Sequence, residues 1–264
     1  MVDRALNTAK ARVDFPRVLR PRLRRTPDTP ASVYLVYRSH NASIVTALQR
    51  KLGGAQLYAW ALNAPHPSLR QWTVGSGPGD KFALIYSLLA EHPPGPRDHV
   101  VVADDDVVLT RGDLADLLQL QWQAGLDLVQ PGHDRRGHPN YGLTVARPLS
   151  RARATSFVEI GPLFAVTPGR RGEVVGALRG AGMGYGVEQL WWELRPSLRM
   201  GVIDEVKMRH LSPAGSAYDN DQLASDMRAS WTKRGVTAIQ PQECYGTWHA
   251  WQRLPSWQEQ RDES

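Results

Sequence analysis

Strand-like and helix-like segments alternate along the first half of the chain, and this alternation constrains the fold more than any other feature. Apolar and β-branched segments of five to eight residues are separated by segments with apolar residues at helical spacing. The predicted strands are Ser32–Arg38, Ala55–Leu62, His99–Ala103 and Leu126–Gln130, and the predicted helices are Ala42–Leu52, Asp80–His92 and Thr110–Ala124. A β-α-β-α order predicts an α/β fold, in which helices cover both faces of a mostly parallel sheet.

The pattern changes in the second half of the chain. Ser156–Val166 is a long strand-like segment interrupted by Gly161–Pro162, and two helical segments punctuated by glycine follow, at about 169–181 and 186–195. Met200–Ile203 is predicted as a further strand. The residues after it become polar and include four scattered tryptophans, Trp231, Trp248, Trp251 and Trp257. We predict a basic, flexible tail at 1–30, an α/β domain at 31–215, and a small C-terminal subdomain at 216–264 that packs on the core.

The net charge of +6 is concentrated in the N-terminal tail. Residues 1–30 carry eight basic and three acidic side chains, so the rest of the chain is almost neutral. A nearly neutral body does not favour a DNA-reading domain, and we expect no nucleic-acid partner. The basic tail is a candidate for weak contact with an anionic membrane surface.

The sequence also suggests a cellular compartment. No apolar run approaches the roughly 20 residues that span a bilayer, and the basic N-terminus lacks the apolar core of a secretory signal. Cys244 is the only cysteine, which excludes a disulfide within the chain. These features are typical of a protein in a reducing compartment, and we predict a cytoplasmic location.

Three adjacent aspartates, Asp104, Asp105 and Asp106, follow the predicted strand His99–Ala103. Adjacent carboxylates repel one another and are costly to desolvate unless they have a partner. A divalent cation removes both problems, and oxygen ligands favour Mg²⁺ or Mn²⁺ bound together with substrate phosphates. Ligands of open α/β sheets bind at the carboxyl ends of the strands, so the triplet predicts a metal site there. The alternative is a strand that simply ends in a polar turn.

A glycine-rich segment, GSGPGDK at 75–81, leads into a predicted helix. Backbone amides at a helix N-terminus can bind phosphate, and Lys81 would add positive charge. Arg38, at the end of the first strand, is a second candidate for a phosphate partner. The segment lacks both the Walker A and the dinucleotide-binding patterns, so a plain loop with a helix cap is the alternative.

Five further residues are candidates for the site. Glu188, near a predicted helix start in GYGVEQLWW, could be a general base, or could only complement the helix dipole. Tyr185 and Trp191 beside it could flank a sugar ring. His210 could bind a metal or could be structural. Glu159, a lone acid in an apolar segment, could serve an acceptor or act as the base, or could be a buried group satisfied by a backbone amide.

The order of these motifs resembles the core of GT-A glycosyltransferases. Four segments resemble more closely a family of plant and bacterial proteins known mainly as a domain of unknown function. Its members show Gln-Pro-Gly, then Phe-Val-Glu-Ile, then Gly-x-Gly-x-acid, and then Gly-Val-hydrophobic-Asp with a histidine. The matching segments here are LVQPG at 128–132, FVEIGPLF at 157–164, GYGVE at 184–188 and GVIDEVKMRH at 201–210. The resemblance covers about residues 98–213.

The resemblance implies a GT-A fold and a metal-dependent enzyme. Such an enzyme would use Mn²⁺ or Mg²⁺ to transfer a sugar from a nucleotide-diphosphate sugar to an acceptor hydroxyl or amine, with inversion. Asp104 and Asp106 match the outer acids of the DxD motif, which contact ribose and metal, and His210 matches a C-terminal metal ligand. Asp105 holds the middle position, which is often Glu in the similar family.

The resemblance also implies two roles outside the acid triplet. Gly161 matches the glycine-bearing strand that approaches donor and acceptor. Glu188 stands where inverting enzymes place the acid that activates the acceptor. Its neighbours, Val187 and Gln189, depart from the acidic pair that is common there.

Two other functions stay open at this point. A nucleotidyltransferase can share this fold and metal chemistry, although residues 38–41, RSHN, lack the basic, glycine-rich character of a triphosphate-binding loop. A non-catalytic carbohydrate-binding protein could use the nine tryptophans to stack on sugars. The sugar, the nucleotide, the acceptor, the stereochemistry and the oligomeric state are all left open by the sequence.

Overall fold

The computed structural model describes residues 29–213 except Pro196, a few residues between 224 and 236, and residues 240–252. Nearly all of the predicted basic tail and Trp257 lie outside the described residues. The strands within these ranges are β1 (Ala31–Tyr37), β2 (Gln56–Ala61), β3 (Thr73–Ser76), β4 (His99–Ala103), β5 (Val107–Arg111), β6 (Leu128–His133), β7 (Ser150–Thr155), β8 (Leu163–Val166), β9 (Met200–His210) and β10 (Cys244–His249). The α-helices of eight or more residues are α1 (Ala42–Gln49), α2 (Lys81–Glu91) and α3 (Leu114–Gln123), and two shorter ones are α4 (Arg171–Gly176) and α5 (Val187–Glu193).

The described strands form one mixed sheet in the order β10-β7-β9-β6-β8-β4-β1-β2-β3, with β5 paired to β9 outside this path. Strands β3, β2, β1 and β4 are mutually parallel, and β6 is parallel to β9. Strand β8 is antiparallel to both β4 and β6 and therefore joins two sets that point the same way. Apart from β5, β7 and β8, all described strands run in one direction, which confirms the predicted mostly parallel sheet.

Strand β1 shows why helices cover both faces of the sheet. All seven of its residues are buried, and successive side chains point to opposite faces. Val33 and Leu35 belong to the apolar cluster that includes residues of α1 and α3, whereas Tyr34 and Val36 belong to the cluster that includes residues of α2, α4 and α5. This two-sided burial confirms the predicted helices on both faces.

The region after the acid triplet differs from the sequence prediction. The predicted helix Thr110–Ala124 begins only at Leu114, because the preceding residues form β5 and pair with β9. Gly112, with a φ of 74°, turns the chain between the two elements. Asp113 and Asp116 then form a reciprocal capping box that starts α3.

Strand β7, SRARAT, is missing from the sequence prediction because its arginines suggest an exposed segment. Arg153 is nevertheless completely buried. Its Nε lies 2.8 Å from Asp204 Oδ2, and its Nη2 lies 2.9 Å from Asp204 Oδ1. Its Nη1 and Nη2 also donate to the carbonyl oxygens of Leu143 and Val145. The charge can be buried because every side of the guanidinium has a partner.

The described C-terminal residues extend the sheet. Strand β10 pairs antiparallel with β7, and the backbone N–H of Gln240 donates to Gln189 Oε1 at 2.9 Å. The division into tail, domain and C-terminal subdomain stays a prediction. Within the described ranges, no helix combines the length and the apolar character needed to cross a bilayer.

Candidate active site

A cleft of about 620 Å³ opens at the carboxyl ends of β1 and β4. Ligands of open α/β sheets bind at this end of the strands. Its lining contains all but one of the site residues predicted from the sequence. They are Arg38, Lys81, Asp104, Asp105, Asp106, Glu159, Gly161, Tyr185, Glu188 and His210.

The three adjacent aspartates make different contacts. Asp105 accepts hydrogen bonds from the backbone N–H of Arg38 at 2.7 Å and from its Nη2 at 2.8 Å, so it ties the end of β4 to the end of β1. Asp104 contacts the ammonium group of Lys81, the first residue of α2. Asp106 lies 3.0 Å from His210 Nε2. The sequence places the three acids together, but it does not show that Asp105 pairs with Arg38.

Asp104, Asp106 and His210 form a group that could bind a metal. Their ligand atoms all lie within 4.8 Å of one another. The pairing of β5 with β9 places His210 opposite Val107, beside the acid triplet. Two carboxylates and an imidazole, in a cleft with space for phosphate oxygens, are a donor set that fits Mn²⁺ or Mg²⁺. The residues present therefore fit the predicted metal.

The pKa values of this group shift toward the charged forms. Burial opposes ionisation of Asp106 and is the largest single effect, but the hydrogen bond and the charge of His210, together with Ser212 and the charge of Arg38, outweigh it and lower the pKa of Asp106. Burial likewise favours the neutral ring of His210 and is the largest single effect, but the hydrogen bond with Asp106 and the charges of Asp106 and Asp104 together raise the pKa of His210. The two groups are held as an ion pair, which a divalent cation would replace.

Gly161 lies directly against Asp104, one of the three candidate metal ligands. A Cβ at this position would lie 3.0 Å from Asp104 Oδ2 and 3.8 Å from Lys81 Nζ. The glycine therefore leaves the Asp104 carboxylate in place. The role of Gly161 is therefore steric: a side chain at this position would crowd the candidate metal ligand Asp104.

The glycine-rich segment is explained mainly by packing. A Cβ on Gly75 would lie 2.2 Å from Trp60 Cζ3, and Trp60 Nε1 donates to the carbonyl of Gly77 at 2.8 Å. Residues 73–76 form β3, where the sequence suggests a loop. Of this segment, Gly79 and Lys81 line the cleft. Lys81 therefore remains a candidate for binding phosphate, whereas Gly75 and Gly77 allow the Trp60 side chain to pack against this segment.

The resemblance to GT-A glycosyltransferases implies metal-dependent nucleotide binding in this cleft. Replacing Gly161 with alanine is expected to weaken that binding about tenfold, since crowding a packed site costs about 1–3 kcal/mol. The reason is that the new methyl group displaces the Asp104 carboxylate. Calorimetric titration of UDP in the presence of Mn²⁺ measures the effect. Gly142→Ala is the matched control, because a Cβ there has no neighbour within 4 Å. Unchanged binding in Gly161→Ala would separate Asp104 from the nucleotide site.

Glu188 occupies the first turn of α5, where a glycine-dependent turn places it. Gly184 and Gly186 have φ values of 94° and 85°, which favour glycine. Glu188 Oε1 accepts a hydrogen bond from the backbone N–H of Ile160 at 3.3 Å. Burial raises the pKa of Glu188 to about 7, and the nearby charge of Glu159 adds to the effect. A carboxyl with such a pKa can exchange a proton near neutral pH.

Glu159 lies in a buried polar network that the sequence does not predict. The network includes Gln130, His133 and Thr144. Glu159 Oε2 lies 3.1 Å from His133 Nε2, and Oε1 accepts a hydrogen bond from Thr144 Oγ1 at 2.7 Å. Its backbone N–H donates to Gln130 Oε1 at 2.6 Å. Side chains, not the suggested backbone amide, satisfy the carboxylate. Polar residues within the otherwise apolar LVQPGH segment are the signal that could have indicated this network.

The position of Trp191 contradicts its predicted role beside the acceptor sugar. Its side chain is completely buried, packs edge-on against Phe164 with ring centroids 5.0 Å apart, and donates to the carbonyl of Val174. It does not line the cleft, so a contact with the acceptor is inconsistent with its position. Tyr185 is exposed and does line the cleft. Tyr141 and Phe157 also line it and are absent from the sequence prediction.

Comparison with known proteins gives a fold but no sequence family. No protein-family model matches the chain. No curated protein sequence matches it either, so the resemblance to the domain-of-unknown-function family stays a prediction. Among solved structures, the fold is similar to that of GalNAc-T7 with UDP, GalNAc and Mn²⁺, with a TM-score of 0.52 and 10% sequence identity.

That match covers 78% of this chain and 50% of the GalNAc-T7 chain, so this chain spans half the length of the solved chain. At this identity the likeness shows the fold. The chain therefore has an α/β fold like that of a GT-A glycosyltransferase, with a DxD-like acidic group in its cleft.

Proposed function

We propose that this protein is a metal-dependent glycosyltransferase that moves a sugar from a nucleotide-diphosphate sugar to an acceptor hydroxyl or amine, with inversion. The observation that carries the proposal is that Asp104, Asp106 and His210 share one cleft with Glu188, a carboxyl of raised pKa. A metal-binding group that stabilises the leaving diphosphate and a separate proton acceptor for the attacking group are the two parts that a metal-dependent, inverting sugar transfer uses.

The donor side of the cleft is assigned from its charges. Asp104, Asp106 and His210 would hold Mn²⁺ or Mg²⁺, which when bound neutralises the charge that develops on the leaving diphosphate. Lys81, beside Asp104, supplies a further positive charge for the phosphates. Arg38 is held by Asp105, so Asp105 acts on the donor by orienting the guanidinium.

The acceptor side is assigned to Glu188, Glu159 and Tyr185, all of which line the cleft. Glu188 takes the proton from the acceptor as the acceptor atom attacks the anomeric carbon. The bond from that carbon to the phosphate oxygen breaks, and the nucleoside diphosphate leaves with the electron pair. Attack from the side opposite the leaving group inverts the anomeric centre. Gly161, which has no Cβ to crowd the Asp104 carboxylate, lies on the donor side.

The direct test is release of nucleoside diphosphate from UDP-, GDP- and dTDP-sugars, with a mixture of hydroxyl and amine acceptors. We expect release from one donor class with Mn²⁺ or Mg²⁺, loss of release with EDTA, and recovery when Mn²⁺ is added back. Absence of release from every donor, by protein with a cooperative melt, would contradict sugar transfer. Pyrophosphate release from a nucleoside triphosphate and a sugar phosphate would indicate a nucleotidyltransferase instead.

A further inference from the structure

We infer that Trp231 is a positioning residue for the proposed general base, because it holds the glycine turn that places Glu188 in the cleft. The inference rests on the proposed function, which assigns the base to Glu188. It depends on the contacts of Trp231 with Gly186 and on those of Gly186 with the Glu188 carboxyl. Trp231 lies 45 residues after Gly186, so the two meet only in the folded chain.

Trp231 contacts Gly186 through a hydrogen bond and through close packing. The indole Nε1 donates to the carbonyl of Gly186, with 3.3 Å between nitrogen and oxygen. A Cβ at Gly186 would lie 2.6 Å from Nε1 of Trp231 and 2.8 Å from Cγ of Met227. Trp231 and Met227 therefore pack directly on the backbone of this glycine, and both also line the cleft.

Gly186 connects Trp231 to the candidate base. Its backbone N–H donates to the carboxyl of Glu188, which also accepts a hydrogen bond from the N–H of Ile160. Gly186 thus accepts from Trp231 through its carbonyl and donates to Glu188 through its N–H. A displacement of Gly186 would therefore displace the Glu188 carboxyl as well.

The turn that contains Gly186 is held from two sides. On the core side, a Cβ at Gly184 would lie 2.4 Å from Cε2 of Phe82, which is buried. On the cleft side, the turn packs against Trp231, which is only partly buried. Glycine backbones have more conformational freedom than those of other residues, so the contact at Gly184 does not by itself fix Gly186. The contact with Trp231 restricts the residue that binds the base.

The placement of Glu188 matters because a general base must lie within hydrogen-bond reach of the proton that it removes. Burial is the largest cause of the raised pKa of Glu188, the nearby charge of Glu159 adds to it, and the backbone hydrogen bonds oppose it. Tyr141 also faces Glu188. Removal of the indole ring would let water reach the turn. We therefore expect Glu188 to become both less well placed and less sheltered.

Trp231→Ala is expected to lower kcat by about 10- to 100-fold and to leave nucleotide affinity nearly unchanged, since a small misplacement of a catalytic group is costly. Steady-state kinetics and titration of the nucleotide with Mn²⁺ measure the two quantities. Trp251→Ala is the matched control, because that tryptophan is 70% exposed and does not line the cleft. A kcat of Trp231→Ala equal to that of the control would overturn the inference.

A double-mutant cycle shows whether Trp231 acts through Glu188. The loss of kcat should disappear in the Glu188→Gln background, since residues that act as a unit have non-additive effects. An equal loss in both backgrounds would reveal a general structural role and contradict the inference. Trp231→Phe keeps an aromatic ring but cannot donate to Gly186. It should lower kcat by about 2- to 10-fold, and it serves for the same cycle if Trp231→Ala does not fold.

Carbon-13 NMR titration of Glu188 separates this inference from the proposed function, because it needs no turnover. Comparison of glutamate-labelled wild type with Glu188→Gln identifies the Glu188 signal. Its midpoint should move from about 7 toward the ordinary value of a glutamate in Trp231→Ala, less so in Trp231→Phe, and not in Trp251→Ala. Such a shift in a protein that transfers no sugar would support the contact and contradict sugar transfer. An unchanged midpoint in Trp231→Ala would overturn the inference.

Discussion

Replacement of Glu188 by glutamine is expected to lower kcat by about 10²–10⁴-fold while nucleotide affinity stays nearly unchanged. Glutamine has nearly the same shape as glutamate, but it cannot take up the proton that the acceptor loses. Nucleotide affinity should be kept because Glu188 is not one of the candidate metal ligands. Steady-state kinetics with the active donor, together with UDP titration, measures both quantities. Turnover near that of the wild type would remove Glu188 from the role of general base.

The pH profile gives a second readout of the same carboxyl. Burial raises the pKa of Glu188 to about 7, so the wild-type kcat should rise with pH through this range as the base form appears. The residual activity of Glu188→Gln should lack this rise. A flat wild-type profile between pH 5.5 and 8.5 would place the titrating base elsewhere.

The same substitution should raise the thermal stability at high pH, although it lowers kcat. A carboxyl whose folded pKa is raised stabilises the fold while it is protonated, and that contribution is lost as pH rises from about 4.5 through about 7. Glu188→Gln keeps the neutral form at every pH. It should therefore melt higher than the wild type at pH 8 and almost equally at pH 4.5, which thermal unfolding at the two pH values measures.

Asp204→Ala is expected to cost about 3–5 kcal/mol of folding stability, the largest stability effect that we predict. Both side chains of the Arg153–Asp204 pair are completely buried, so the substitution leaves an uncompensated guanidinium in the core. For a chain of this size the melting midpoint should fall by roughly 6–20 °C.

Two comparisons test the cause of that loss. Glu173→Ala removes the exposed partner of Arg170 and should cost about 1 kcal/mol or less. The double replacement of Arg153 and Asp204 by leucine should be more stable than Asp204→Ala, because it leaves no buried charge. A melting midpoint for Asp204→Ala equal to that of Glu173→Ala would show that the pair contributes little.

Strands with a clear local pattern of apolar residues could be predicted from the sequence. Strands that depend on a partner far away in the sequence could not. Strands β1 and β4 are mostly apolar, so their burial follows from their own sequence. The burial of β7 does not follow from its own sequence, because Arg153 can be buried only through its ion pair with Asp204, 51 residues later. The predicted helix Thr110–Ala124 overlaps the last two residues of β5, because the pairing of β5 with β9 is equally remote in sequence.

The candidate site divides in the same way. The acid triplet at the end of β4 is visible in the sequence, and so is the glycine turn before Glu188. The network of Glu159 with His133 and Thr144 combines three separate segments. The polar residues within LVQPGH indicate buried polar groups, but they do not identify the distant partners. Trp191 lies three residues after Glu188, yet it faces the core, because packing against Phe164 and not sequence proximity determines its direction.

Thermal unfolding with UDP, GDP and dTDP, each with and without Mn²⁺, tests the nucleotide-sugar site most directly. A nucleotide at about 100 times its Kd adds ~2.7 kcal/mol, which should raise the melting midpoint by roughly 5–10 °C. We predict such a shift for one nucleotide only with Mn²⁺, its loss in Asp106→Ala, and its retention in Glu91→Ala, which removes an exposed acid at the end of α2. Absence of a shift with every nucleotide, in protein that melts cooperatively, would contradict a nucleotide-sugar site in this cleft.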